Sequence, residues 1–166
     1  GSNIRCLVDD VEVIDATDTS IVSGRYGGVK IYAPTNATDV QVDNFEVGVT
    51  SSAITEPFTT GTAATDANFT MVTGSLGIES GKLKIGSLGI TAFGYHDTVL
   101  DTSDHFVQAD CVVGASDSSC YWGLTARQNT DNDDYYIVWT QNNRQVVELL
   151  KCAGGTYTSI GTYTTG

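Results

Sequence analysis

The 166-residue sequence predicts an all-β protein of antiparallel strands, a sandwich or a barrel. Three observations lead there. Thr, Val, Ser, Gly and Tyr dominate, and β-branched and aromatic side chains fit a pleated, half-buried surface. Apolar residues recur with period two, in runs bounded at short intervals by Gly, Asp, Asn and Ser turns. An apolar stripe of helical period is missing. Residues 145–151 come nearest, and their β-branched content and flanking turns favour a strand.

Strands are expected near 3–8, 11–16, 27–33, 41–48, 69–74, 82–86, 90–94, 105–113, 119–127, 134–140, 145–151 and 156–163. Ile4-Arg5-Cys6-Leu7-Val8 and Val11-Glu12-Val13-Ile14 are split by Asp9-Asp10, a tight hairpin. Residues 41–48 alternate through Val42-Asp43-Asn44-Phe45-Glu46-Val47 and read as a closing strand. Residues 54–72, from Ile54-Thr55-Glu56-Pro57-Phe58 to Asn68-Phe69-Thr70-Met71-Val72, read as an opening segment. Further on, Asp131 to Asp134 joins two strands, and Ala153-Gly154-Gly155 supplies positive-φ positions before the last one.

A closing strand ahead of an opening segment is backwards for one ordinary domain. The chain is therefore expected to be circularly permuted, or to be a window across a repeat boundary. One domain spanning 1–166 is the simplest organisation, with a linker at 49–60 between the two parts, 1–48 and 61–166; 40% hydrophobic content is enough for one core. A formal charge of −12, from 20 acidic against 8 basic residues, repels phosphate backbones and anionic membranes, so nucleic acid is not an expected partner. Membrane insertion is not expected, because no apolar run approaches the roughly 20 residues that span a bilayer. A secretory signal pattern does not open the chain either.

Several short words carry a family likeness. Gly74-Ser75-Leu76-Gly77-Ile78 with Gly81-Lys82-Leu83, His105-Phe106-Val107-Gln108-Ala109-Asp110, Gly123-Leu124-Thr125-Ala126-Arg127-Gln128 with Asp133-Asp134-Tyr135-Tyr136, and Leu149-Leu150-Lys151 with Gly155-Thr156-Tyr157 resemble the first two thirds of a concanavalin A-like, laminin-G-like domain. Residues 3–47, with Asp18-Thr19-Ser20, Ser23-Gly24-Arg25-Tyr26-Gly27 and Asp43-Asn44-Phe45-Glu46-Val47, resemble its last third. The resemblance implies a two-sheet antiparallel jelly-roll β-sandwich with its parts in swapped order. It also implies that one apolar strand usual in the family, between residue 166 and residue 1, is absent. A sandwich short of one strand has unpaired edges near 1–8 and 156–163, which either stay closed or take a strand from a copy of the chain or a neighbouring repeat. Related jelly rolls hold a structural calcium ion, and the resemblance puts Asp43 at the ligand position.

The superfamily includes glycanases, whose acid and nucleophile lie on one strand as Glu-x-Asp-x-x-Glu. That run does not occur here, and no Gly-x-Ser-x-Gly elbow accompanies His96 or His105, so catalysis is not expected. The cysteines leave alternatives open. Cys111 and Cys120 flank a turn at Ala115-Ser116 and would face each other on adjacent strands, leaving Cys6 and Cys152 as a second pair, yet all three connectivities fit the sequence. Neither spacing is a zinc motif.

Sugars are bound by stacking on Trp and Tyr, and Trp122, Trp139, Tyr95, Tyr121, Tyr135 and Tyr136 stand in or beside adjoining strands. Alternation assigns Cys120, Trp122, Leu124 and Ala126 to an apolar face and Tyr121, Thr125 and Arg127 to the other. Tyr135, Ile137 and Trp139 oppose Tyr136 and Val138, and either set fits the inside. Arg127, Tyr135 and Trp139 are the candidate glycan contacts, with a core role for Trp139 as the alternative. The expected function is a non-catalytic structural and binding module of an extracellular, cell-surface or virion-surface assembly. A free-standing carbohydrate-binding module and a divergent polysaccharide-degrading enzyme are the rivals.

Overall fold

The computed structural model describes residues 3–37, 40–49, 52–59, 61–113, 119–131, 133–141 and 146–164. Among them the strands are β1 Asn3–Val8, β2 Val11–Thr17, β3 Tyr26–Tyr32, β4 Val40–Val49, β5 Ser52–Glu56, β6 Phe69–Thr73 and β7 Leu76–Glu79. They continue with β8 Lys82–Ile85, β9 Ala92–His96, β10 Phe106–Val113, β11 Tyr121–Asn129, β12 Asp134–Gln141, β13 Val146–Ala153 and β14 Thr156–Thr164. A single 3₁₀ turn, Ala64–Ala67, precedes β6. The fold is an all-β, jelly-roll-like sandwich of antiparallel sheets.

One layer is a seven-stranded sheet in the order β14-β13-β12-β11-β3-β9-β6. Opposite it lies a five-stranded sheet, β10-β4-β8-β7, with β5 also paired to β4. Strand β4 is long enough to serve two partners on one side: Gln41 and Val42 pair with β8, and Phe45 to Val49 pair with β5. Asn44, at φ 47°, marks the bend between them, a conformation Asn tolerates better than most residues. The main core lies between the sheets and is built from Val29, Ile31, Val42, Phe45, Val47, Phe69, Leu83 and Ile85 among others, with Trp122 and Leu124 packed against it.

The two-stranded ribbon β1-β2 joins neither sheet by hydrogen bonds. It extends the second layer instead: Cys6 and Ile14 pack with Leu149, and around them lie Val138, Val147, Ile160 and Tyr163 from β12, β13 and β14. Its hairpin forms at Asp9-Asp10, at φ 50° and 63°, as the sequence suggested. A carboxylate clamps the chain where it leaves the ribbon. The Asp18 carboxylate accepts hydrogen bonds from the Tyr136 hydroxyl (2.7 Å), the Ser20 backbone N–H (2.8 Å) and the Lys151 ammonium (3.2 Å), and from the Ser20 hydroxyl. Burial alone would raise its pKa, but these donors outweigh that and hold the carboxyl well below the usual carboxylate range.

Twelve expected strands match observed ones to within a few residues, and two were missed. Residues 49–60, expected as a linker, contain β5, whose side chains are almost all exposed; with no buried face it gives no period-two signal and exists by pairing with β4. The four-residue β7 is too short to show one. Cys111 lies on β10 of the five-stranded sheet and Cys120 beside β11 of the seven-stranded sheet; the turn expected at 115–116 lies outside the described residues. Cys6, on β1, packs with Ile14 and Leu149, and Cys152 packs with Tyr135 and Leu150 on the opposite face of the seven-stranded sheet. Cys6, Cys111 and Cys152 carry thiols, with burial pushing Cys6 up to about 11.

Candidate functional site

The seven-stranded sheet has a second face, turned away from both the five-stranded sheet and the ribbon. Register defines it. Tyr121 pairs with Tyr32, Gly123 with both Lys30 and Trp139, Lys30 with Phe93, Tyr135 with Cys152, and Cys152 with Tyr157, and residues directly opposite in a ladder share a face. Five strands, β3, β9, β11, β12 and β14, supply aromatic rings to the same surface through the period-two alternation of their side chains. In β3, for example, Val29 and Ile31 point into the core and leave Tyr26, Lys30 and Tyr32 on the outer face.

The rings form a continuous run. Tyr32 stacks on Tyr121 with centroids 5.0 Å apart, Tyr121 lies 5.2 Å from Trp139, and Trp139 lies parallel to Tyr157 at 6.2 Å. Tyr157 then meets Tyr135 at 6.3 Å, and Tyr135 meets Phe93 at 5.0 Å. The rings cover Ile137 and Leu150, which are buried on this face although among the described residues no second sheet lies over them. Tyr157 is 40% exposed, Trp139, Tyr121 and Tyr32 are half-buried, and Tyr135 and Phe93 are buried beneath, so four of the six rings present surface to solvent. Hydrogen bonds hold the rings in place: Trp139 Nε1–H donates to Glu148 (3.0 Å), and the Tyr121 hydroxyl lies 2.6 Å from that of Thr91.

Lys30 stands at the centre. Its ammonium lies 5.0 Å from the Tyr157 ring centroid, 5.4 Å from that of Phe93 and 5.8 Å from that of Tyr135, within cation–π range of all three. It donates hydrogen bonds to the Tyr135 hydroxyl (3.3 Å) and to the Tyr157 hydroxyl, and those two hydroxyls lie 2.6 Å apart. Burial, and then the bond to Tyr157, pushes the Tyr135 phenol well above its ordinary range, so it stays neutral beside the ammonium. Such a surface offers flat apolar faces, phenol hydroxyls and one cation at short range.

Of the three residues expected to contact glycans, Tyr135 and Trp139 share this face; Trp139 is half-buried, packs against the cluster that contains Ile137 and Leu150, and puts its indole N–H on Glu148. Arg127 is elsewhere. A register irregularity between Ala126 and Asn129 puts Arg127 at φ 52° and breaks the alternation that Tyr121 and Thr125 obey. Its side chain is 8% exposed, donates to the Ser103 carbonyl (2.8 Å), pairs with Asp104 (2.9 Å) and lies over the Tyr136 ring at 5.9 Å. Gly24 runs so close beneath this bulge that a Cβ there would overlap the Arg127 carbonyl. Asp43, the expected calcium ligand, pairs with Lys82 (3.1 Å) and caps the Asn44 N–H (2.8 Å), and among the described residues no three His, Cys, Asp or Glu side chains converge on a common point.

Sequence reasoning missed Lys30, Phe93, Tyr157, Tyr32 and Glu148. The alternation Tyr26-x-Gly28-x-Lys30-x-Tyr32 against Val29 and Ile31 was the available signal for Lys30 and Tyr32. A scan against protein-family models and searches of curated proteins and of solved structures find nothing that matches this chain. Among the described residues no helix is long and apolar enough to cross a membrane.

Proposed function

We propose that this chain is a non-catalytic binding module of a larger extracellular or particle-surface assembly, related to the concanavalin A-like domains, and that it holds glycans on the aromatic face of its seven-stranded sheet. The observation that carries the reading is the run of six rings from Tyr32 to Phe93, on a sheet face that neither the second sheet nor the ribbon covers. Sugar C–H faces stack on such rings, and Lys30, Glu148 and the phenol hydroxyls supply polar groups to orient ring hydroxyls. The test is a glycan array probed with the labelled chain and with Trp139→Ala. Retention on a defined set of glycans, weakened about tenfold or more by Trp139→Ala in a variant with unchanged circular dichroism, supports the reading. Retention of no glycan, or an identical pattern for both proteins, would sink it.

Assembly by strand addition is the second reading, and β14 favours it. Among the described residues this nine-residue strand, Thr-Tyr-Thr-Ser-Ile-Gly-Thr-Tyr-Thr, pairs only with β13, and it carries neither charge nor proline, the devices that usually protect an edge. Solution mass over a wide concentration range tests it: growth of polymers that Thr158→Lys abolishes supports strand addition along β14, and a monomer at every concentration contradicts it.

A further inference from the structure

The basic side chains of this acidic protein are mostly paired. Arg5 meets Glu12, Lys82 meets Asp43, Lys84 meets Glu79, Arg127 meets Asp104 and Lys151 meets Asp18. Lys30 differs: among the described residues no carboxylate pairs with it, and what surrounds its ammonium is three rings and two phenol oxygens. Glu148, on the same face, is bonded to the Trp139 indole N–H. An ammonium carries three N–H donors. Tyr135 and Tyr157 accept two of them, which leaves the third with no acceptor among the described side chains.

We propose that Lys30 is an anion subsite within the aromatic face, and that the ligand is a largely neutral glycan bearing an isolated carboxylate, a uronic-acid residue whose carboxylate meets the Lys30 ammonium while its ring stacks on Tyr157 and Trp139. The inference rests on the glycan reading above and names its ligand class. The cation–π contacts hold the ammonium without neutralising it, and the neutral Tyr135 phenol adds no opposing charge. One of the Tyr135 and Tyr157 hydroxyls, which both accept from the ammonium, donates to the other, and that leaves one O–H to turn toward the second carboxylate oxygen. Net charge narrows the class further. A chain at −12 repels a densely sulfated or polyuronate polymer along its length, whereas a single carboxylate in contact with Lys30 feels that ammonium first, the more distant acidic residues being screened over about 8 Å at physiological salt.

The experiment titrates the isotope-labelled chain with methyl glucoside, methyl glucuronide and methyl glucoside 6-sulfate, three sugars that differ only at carbon six, and follows amide and side-chain resonances. The expected result is a Kd about tenfold lower for the glucuronide than for the glucoside, the gain of one charge-assisted hydrogen bond. Shifts centre on Lys30, Tyr135 and Tyr157. Lys30→Met, which keeps the length and apolar stem, erases the difference between glucuronide and glucoside, whatever it costs the binding of both. Equal affinities in the unaltered chain, or a preference that survives Lys30→Met, overturn the subsite while the glycan reading stands. Tighter binding of the sulfate overturns the carboxylate assignment. Shifts on this face with none of the three sugars overturn both.

Discussion

Replacing Asp18 by Asn tests how the ribbon β1-β2 is fastened to the sandwich. The Asp18 carboxylate meets Tyr136 (2.7 Å), the Ser20 N–H (2.8 Å) and Lys151 (3.2 Å), and its side chain is 15% exposed against 23% for Lys151. An exposed pair is worth up to about 1 kcal/mol, and breaking a fully buried one costs about 3–5 kcal/mol. Partial exposure puts this pair between, so Asp18→Asn costs about 2–3 kcal/mol, because one donor now faces the new amide N–H₂ and the Lys151 charge loses its partner. In a domain of this length that lowers Tm by about 5–10 °C. Urea unfolding followed by tryptophan fluorescence reads the loss directly. Lys151→Met completes a double-mutant cycle with an expected coupling of about 1–2 kcal/mol. The acid side supplies a second reading. The folded carboxyl lies below its unfolded value, so its contribution is complete above about pH 4 and is lost as pH falls from there toward the folded pKa, a window in which Asp18→Asn is insensitive. A variant within about 0.5 kcal/mol of the parent, or zero coupling, would show that the Asp18 carboxylate does not fasten the ribbon.

Three further outcomes are expected. His105 accepts from the Arg127 N–H and His96 is buried against Phe45 and Phe69, and burial lowers both pKa values; stability is full above about pH 6.5 and falls below it by up to about 1.4 kcal/mol per pH unit for each histidine, a slope that urea midpoints should lose when both are changed to Gln. Gly24→Ala forces its Cβ into the Arg127 carbonyl and should cost about 2–4 kcal/mol by thermal unfolding, whereas Gly81→Ala, in open space, costs only the strain of its positive φ, about 1 kcal/mol. Tyr157→Ala should weaken glycan retention on an array as Trp139→Ala does while leaving the urea midpoint within about 1 kcal/mol, since Tyr157 is 40% exposed.

The strands were legible because burial writes itself into sequence with period two. Val29 and Ile31 against Lys30 and Tyr32, or Leu149 against Leu150, need only alternation to be assigned to opposite faces. Strand β5 was hidden for the opposite reason: Ser52-Ala53-Ile54-Thr55-Glu56 buries almost nothing, and only its register against β4 makes it a strand. The candidate site was legible in half. Tyr135 and Trp139 sit two pleats apart on one strand, a local relation, but Lys30, Phe93 and Tyr157 join them through strand order in the sheet, which no local pattern encodes. Arg127 shows the reverse failure. Alternation put it with Tyr121 until a bulge turned it inward, and nothing in Ala126-Arg127-Gln128 announces that bulge.

The two tryptophans lie on opposite faces of the seven-stranded sheet. Trp122 packs against the core between the sheets and Trp139 stands on the aromatic face, so their indole Nε1–H resonances report the two sides of one sheet. When the chain is titrated with the oligosaccharide it retains best on the array, the Trp139 indole is expected to shift and saturate while the Trp122 indole stays in place. Saturable binding with the Trp139 indole unmoved would contradict it and place the recognition surface elsewhere on the sandwich.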